Sequence, residues 1–209
     1  MPPQMSLRAH AHPPTAADVL ARLKAGNERF VRGEARFPTV QKEILASLAN
    51  EQRPYATILG CSDSRVPPEL IFDAGFGELF IVRVAGNVVS PGVLGSLHYA
   101  AIHLGTPLFV VLGHERCGAV SAALDASHGD GEQSAPIGRL LNKIRPALRH
   151  LPSGLSPEAE LDAAVEANVR WSMQQIRETP EARARIEEGV LKLVGARYDL
   201  DTGEVTFYD

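Results

Sequence analysis

The chain is poor in the features that mark several broad classes of protein. It has only two cysteines among 209 residues, Cys61 and Cys117. A disulfide-stapled secreted scaffold needs more, and a chain of this length buries a core without a staple. No stretch of about 18 consecutive apolar residues occurs, so no membrane span is expected. No long basic run occurs and the formal charge is −4, so neither nucleic acid nor a membrane is an expected partner. The N-terminal MPPQMSLRAHAHPPTAADV lacks the apolar centre of a secretory signal. Internal repeats and low-complexity tracts are missing too. These absences point to the reducing cytoplasm, where the two thiols serve some purpose other than a disulfide.

What remains is an ordinary globular composition. Apolar residues make up 44% and charged residues 22%, which suits one domain. Residues 1–14 read as a flexible, proline-bearing tail, with His10 and His12 as solvated tail residues. Residues 15–209 read as a single domain whose first part, 15–50, is a helical arm. Val19, Leu20, Leu23, Phe30 and Val31 share one helical face, and Thr15 with Asp18 makes a capping box. A second helix is expected over about Val40 to Ala49.

Beyond the arm, apolar runs alternate with helical segments. Tyr55 to Leu59, Leu79 to Val84 and Leu108 to Leu112 are strand candidates. Glu69 to Phe72, Val93 to Leu104 and a helix beginning over Cys117 to Leu124 are helix candidates, with Gly113 expected to turn the chain. Ala126 to Ala135 reads as a polar surface loop; Ile137 to His150 and Pro157 to Thr179 read as helical, and Pro180 starts another helix. Trp171, the only tryptophan, is expected to pack a helix. Val190 to Tyr198 and Val205 to Tyr208 flank DLDTGE as a β-hairpin. The expected fold is α/β: a central, mostly parallel sheet flanked by helices, with an N-terminal helical arm and a C-terminal hairpin.

In open parallel sheets, ligands gather beyond the carboxyl ends of the strands. Cys61 follows one strand; His114 and Cys117 follow another. Two thiolates and an imidazole suit zinc, which keeps a fourth, open position in catalytic sites. The alternative is that His114 caps a helix and both cysteines pack; the spacing favours the metal. The loop GCSDSRVPPE adds Asp63 and Arg65. In an extended loop, Cys61, Asp63 and Arg65 face one way. Asp63 is then within reach of the metal, and Arg65 can hold its carboxylate bidentately and keep it off. A structural ion pair fixing the loop is the alternative for this pair. Ser62 and Ser64 are expected to satisfy loop backbone groups, and Pro67 and Pro68 to stiffen the exit.

CSDSRVPPE, RVAGN (Arg83 to Asn87) and GHERCGAV (Gly113 to Val120) together resemble the β-class carbonic anhydrases, from about Leu20 to the final hairpin. The resemblance implies a zinc lyase that reversibly hydrates carbon dioxide to bicarbonate and a proton through zinc-bound hydroxide. It implies that Cys61, His114 and Cys117 hold Zn2+, and that Asp63 and Arg65 form a dyad that gates and orients the nucleophile. It also implies that Asp63 can be the fourth ligand of a closed state, as in some members of that family. Gln52, Phe80, Gly86 and Asn87 match substrate-pocket positions; ordinary core packing is the equal alternative for Phe80, and a turn needing positive φ the alternative for Gly86. Arg83 and Tyr198 match part of an inhibitory bicarbonate site, but Ile58 stands where its tryptophan would be. His98 and His103 stand where relatives often have acidic residues; a helix-surface role is favoured over proton transfer. A homodimer or homotetramer is implied, with the first helix embracing the partner; packing on its own subunit is the alternative. A related hydrolase of carbonyl sulfide or carbon disulfide, or a non-catalytic structural zinc module, are the alternative functions.

Overall fold

The computed structural model describes residues 14–36, 45–46, 48–129 and 134–208. Five strands form one sheet: β1 (Ala56–Gly60), β2 (Leu79–Arg83), β3 (Leu108–His114), β4 (Lys192–Tyr198) and β5 (Val205–Tyr208). Their order is β2-β1-β3-β4-β5. The first four are mutually parallel, and β5 runs antiparallel to β4. From β1 the chain crosses to one side for β2 and to the other for β3. The topological switch therefore lies between β1 and β3, where ligands of open parallel sheets collect.

Seven α-helices lie wholly within the described residues: α1 (Ala16–Val31), α2 (Pro68–Ile71), α3 (Pro91–Ile102), α4 (Gly118–His128), α5 (Ala135–Ile144), α6 (Pro157–Arg177) and α7 (Pro180–Glu187). Every residue of β1 and β3 is buried, so both faces of the sheet centre are covered, as the continuous apolar runs require. Alternation sorts their side chains. Ile58, Val110 and Leu112 meet Val19 and Leu23 of α1 and Ile71 of α2. Leu59, Phe109 and Val111 meet Leu97 of α3 and Val169 and Met173 of α6. A third cluster joins Cys61 and Cys117 to Val120, Ile144, Ala164 and Val165 beneath the sheet's carboxyl edge.

Helix α1 starts as its sequence dictates. Thr15 accepts from the Asp18 N–H, and the Asp18 carboxylate accepts from the Thr15 N–H in return. Its apolar face is buried on its own chain, with Val19 and Leu23 no more than 1% exposed. Full burial of Leu23 alone contributes about 1.5–3 kcal/mol. Arg29 adds a bond of 2.6 Å to the fully buried Asp73 side chain. The expected helix near Val40 lies largely outside the described residues, of which Leu45, Ala46 and Leu48 are helical. His10 and His12 lie outside them as well.

Two local expectations are corrected. Gly113 does not turn the chain; it and His114 are the last residues of β3. A Cβ at Gly113 would stand 2.5 Å from Val169 Cγ2, so glycine is required by the close approach of α6 and not by a turn. The polar segment from Ala126 also begins as helix. α4 continues to His128 and ends at Gly129, whose φ of 93° is the left-handed cap that closes many helices. No helix among the described residues is long and apolar enough to cross a membrane.

Candidate metal centre

Cys61 follows β1 directly, His114 ends β3, and β1 and β3 are adjacent strands. Cys117 is the residue before α4. The ligand-capable atoms of these three side chains lie within 4.8 Å of one another, and all three residues are buried. His114 is 0% exposed and its Nε2 has no hydrogen-bond partner. Its Nδ1 lies 2.8 Å from the Glu115 carbonyl oxygen. That carbonyl can only accept, so the proton sits on Nδ1 and the Nε2 lone pair faces the sulfurs. An orphaned, buried imidazole lone pair beside two thiols is a donor set for a soft or borderline cation, and the residues fit zinc.

The two thiols share a proton unequally. The Cys117 thiol beside it, and then the Gly86 N–H, pull Cys61 down, against the opposing cost of burial. The shared proton and burial push Cys117 up, while the Ala119 and Val120 N–H groups at the start of α4 pull the other way. Both cysteines are free.

Asp63 stands beside this cluster, its Oδ2 3.8 Å from His114 Nε2. Arg65 grips both carboxylate oxygens, Nε to Oδ1 at 3.0 Å and Nη2 to Oδ2 at 2.8 Å. The loop is not extended as its sequence suggests. The Arg65 N–H donates to Asp63 Oδ1 at 2.9 Å, closing an Asx turn. The Arg65 guanidinium, and then its backbone N–H, hold the Asp63 carboxyl well below the usual carboxylate range, against the cost of burial. Ser62 and Ser64 are exposed, and the turn bond comes from Asp63 instead. Arg83 anchors the loop from below, donating to the carbonyl oxygens of Cys61 and Asp63.

A profile of the carbonic anhydrase family matches residues 56–205. The chain belongs to the β-class carbonic anhydrases. It is 41% identical to carbonic anhydrase 2 of Mycobacterium tuberculosis over 189 residues, covering 90% of each chain. It is also 41% identical to the carbonic anhydrase of Mycolicibacterium smegmatis, covering 88% of each. Among solved structures it is similar to the β-carbonic anhydrase CcaA, with a TM-score of 0.76 at 28% identity, covering 91% of this chain and 88% of that one. The protein is thus a carbonic anhydrase enzyme, and zinc-dependent hydration of carbon dioxide is the family's general reaction.

The other residues singled out by resemblance to the β-carbonic anhydrases divide into two groups. Gly86 and Asn87 lie at the cluster: the Gly86 N–H donates to Cys61 Sγ at 3.3 Å. Gln52 and Phe80 do not. Gln52 precedes β1 and is exposed, whereas Cys61 follows it, and the strand alone separates their ends by about 16 Å. Phe80 pairs with Thr57 near the same far end, and its ring lies 6.2 Å from that of Tyr99. His103 stacks near Tyr99, and His98 bonds Thr179 at 3.2 Å, so both are on that side or against α7. Ile58 is fully buried, Tyr198 is 6% exposed opposite His114, and Arg83 is engaged with the loop carbonyls. Trp171 donates to the Lys143 carbonyl at 3.1 Å, joining α6 to α5.

Sequence reading missed three features of this anhydrase. Asn168 and Ser172 of α6 reach the 85–87 turn beside Cys61. They are polar residues four apart inside an otherwise apolar helix face, a signal present in the sequence. Arg116, at φ 50°, forks onto Asp201 at 3.0 and 2.7 Å and ties the 114–117 segment to the β4–β5 turn. Tyr99 is 46% exposed beside Phe80 and extends that aromatic patch.

Proposed function

We propose that this chain hydrates carbon dioxide reversibly at a Zn2+ held by Cys61, His114 and Cys117, with Asp63 as orienting group and Arg65 as its anchor. When bound, zinc supplies Lewis acidity that makes a water nucleophilic near neutral pH. The chain's own residues do the rest. His114 Nδ1–H donates to the Glu115 carbonyl oxygen, so Nε2 stays free as a ligand. Asp63 is kept ionised by Arg65, so its carboxylate accepts a hydrogen bond from the nucleophile and aligns it. The observation that carries this reading is the carboxylate held at 3.8 Å from an unpartnered Nε2 while both its oxygens are gripped by Arg65. A purely structural site has no need of an arginine competing for its fourth donor.

The reading extends to assembly. Gln52 and Phe80 serve as substrate-pocket residues only if a second copy brings them to the metal centre, because their own lie at the far strand ends. The edge strand β2 is half-exposed along its whole length, and Tyr99 and Ile102 stand exposed beside it. These support a homodimer, alone or within a tetramer, whose active site is completed across the interface. Free thiols at a metal centre also suit the cytoplasm.

The test is carbon dioxide hydration by the zinc-loaded protein over about pH 6.5 to 9, with Asp63→Asn and Gln52→Ala beside it. Activity that falls in both variants with zinc retained supports the reading. One tightly bound zinc with no hydration at any pH defeats it, and turnover of carbonyl sulfide or carbon disulfide in its place identifies a related hydrolase.

A further inference from the structure

The face of α6 that meets the sheet is apolar except at two positions. Asn168 is 1% exposed and Ser172 is 0% exposed, amid Val165, Val169, Met173 and Ile176. Burying an amide and a hydroxyl among such residues costs free energy unless each is hydrogen-bonded. Both are used on one target. Asn168 Nδ2 donates to the Gly86 carbonyl at 2.8 Å, and Ser172 Oγ donates to the Asn87 carbonyl at 3.0 Å. Residues four apart on a helix share a face, so one helix grips two successive carbonyls of one turn.

That turn needs a grip. Gly86 has φ 65° and Asn87 φ 43°, two consecutive residues in the left-handed region, and Asn87 lacks glycine's freedom there. The turn is also hemmed in: a Cβ on Gly86 would stand 2.9 Å from Ile144 Cδ1 and 3.1 Å from Ala119 Cβ. What the geometry achieves is the Gly86 N–H aimed at Cys61 Sγ, 3.3 Å away. The N–H and the carbonyl of Gly86 belong to different peptide planes. Asn168 therefore acts on the sulfur by fixing the turn's position and not by polarising the donor.

We infer that Asn168 and Ser172 are positioning residues of the metal centre, holding the Gly86–Asn87 turn so that the Gly86 N–H hydrogen-bonds the Cys61 thiolate. A thiolate that shares a lone pair with an N–H donates less charge to its metal. Two thiolates make a bound cation a weaker Lewis acid than neutral ligands would, and this hydrogen bond offsets part of that loss. The inference rests on the reading of Cys61 as a metal ligand.

The test compares the full-length protein with Asn168→Leu and Ser172→Ala, each loaded with Co2+ for spectroscopy and with Zn2+ for release to a chelator. The thiolate-to-cobalt charge-transfer band reports sulfur donor strength, which simple loss of packing leaves alone. In Asn168→Leu the band is expected at longer wavelength, because the sulfur regains donor strength, and zinc release about 10-fold or more faster, because the released turn no longer holds that sulfur in place. Ser172→Ala is expected to shift both in the same direction by less. A folded, cobalt-loaded Asn168→Leu protein with the unmodified band overturns the inference. Should that variant not fold, an unmodified band in Ser172→Ala does so. Absence of any thiolate band in the unmodified protein is a separate result: it removes Cys61 as a ligand, and the inference falls with it.

Discussion

Arg65 holds Asp63 by three donors, the 2.9 Å backbone N–H and two guanidinium nitrogens at 3.0 and 2.8 Å, with the carboxylate 3.8 Å from His114 Nε2. The side chain of Arg65 is 54% exposed, so the pair contributes little to stability and its worth lies in aim. A lysine has one ammonium and no fork, and cannot hold both oxygens in this plane. Arg65→Lys is expected to lower the rate of carbon dioxide hydration about 10–100-fold, the scale of a small misalignment at a reacting group. Stopped-flow rates with zinc analysis check this; an unchanged rate at full zinc content refutes the anchoring role.

Zinc content separates the donors from the dyad. Cys117→Ser and His114→Ala are expected to weaken zinc binding by more than the roughly 10–100-fold typical of outer partners. Asp63→Asn is expected to keep one zinc per chain while losing hydration. Chelator competition measures the first and atomic absorption the second. Full zinc retention in His114→Ala would exclude Nε2 as a ligand.

Gly113→Ala tests the close approach of α6 to β3. The added methyl meets Val169 Cγ2 at 2.5 Å and Val165 Cγ1 at 3.4 Å. Valine side chains are stiff and cannot swing aside, so a destabilisation of about 1–3 kcal/mol is expected. Gly118→Ala, which meets nothing within 4 Å, is the control and is expected to be neutral or slightly stabilising. Thermal melts of the two variants should diverge; coincident melting temperatures would contradict the packing.

Alkaline unfolding is expected to begin at tyrosine. Burial pushes Tyr55 from its ordinary 10.0 up to about 12, with the Arg22 guanidinium over its ring opposing. The folded state thus keeps a proton that the unfolded state releases. This contribution to stability is complete below pH 10 and is lost as pH rises from 10 to about 12. Tyr208 is shifted the same way by burial. Tyr55→Phe should flatten the fall of denaturation midpoint across that window, and an unaltered slope would show that Tyr55 plays no part.

Local pattern carried much of this molecule. Continuous apolar runs read as buried parallel strands, because only strands covered on both faces tolerate them, and β1 and β3 are such strands. The Thr15–Asp18 box marked the start of α1, since capping involves residues three apart. Strand ends bearing Cys61 and His114 marked the edge where the Cys61, His114 and Cys117 donors come together, from connectivity alone. Gly113 misled because glycine usually punctuates; here an α6 valine more than fifty residues away requires it. The Asp63–Arg65 pair was legible as chemistry but not as an Asx turn, which competes with extension through a single hydrogen bond.

By itself, then, the amino-acid order determined the alternation of strands and helices, the donor types and the ends of the sheet they occupy, since each depends on neighbours within a turn or a strand. Only the tertiary structure decided that the Phe80 ring meets Tyr99 of α3, and that Asn168 and Ser172 reach the turn beside Cys61. Those relations join segments 82 and 85 residues apart in the latter case. They come from the direction of strands and the docking of α6, which are settled by packing the whole core and not by any local run of residues.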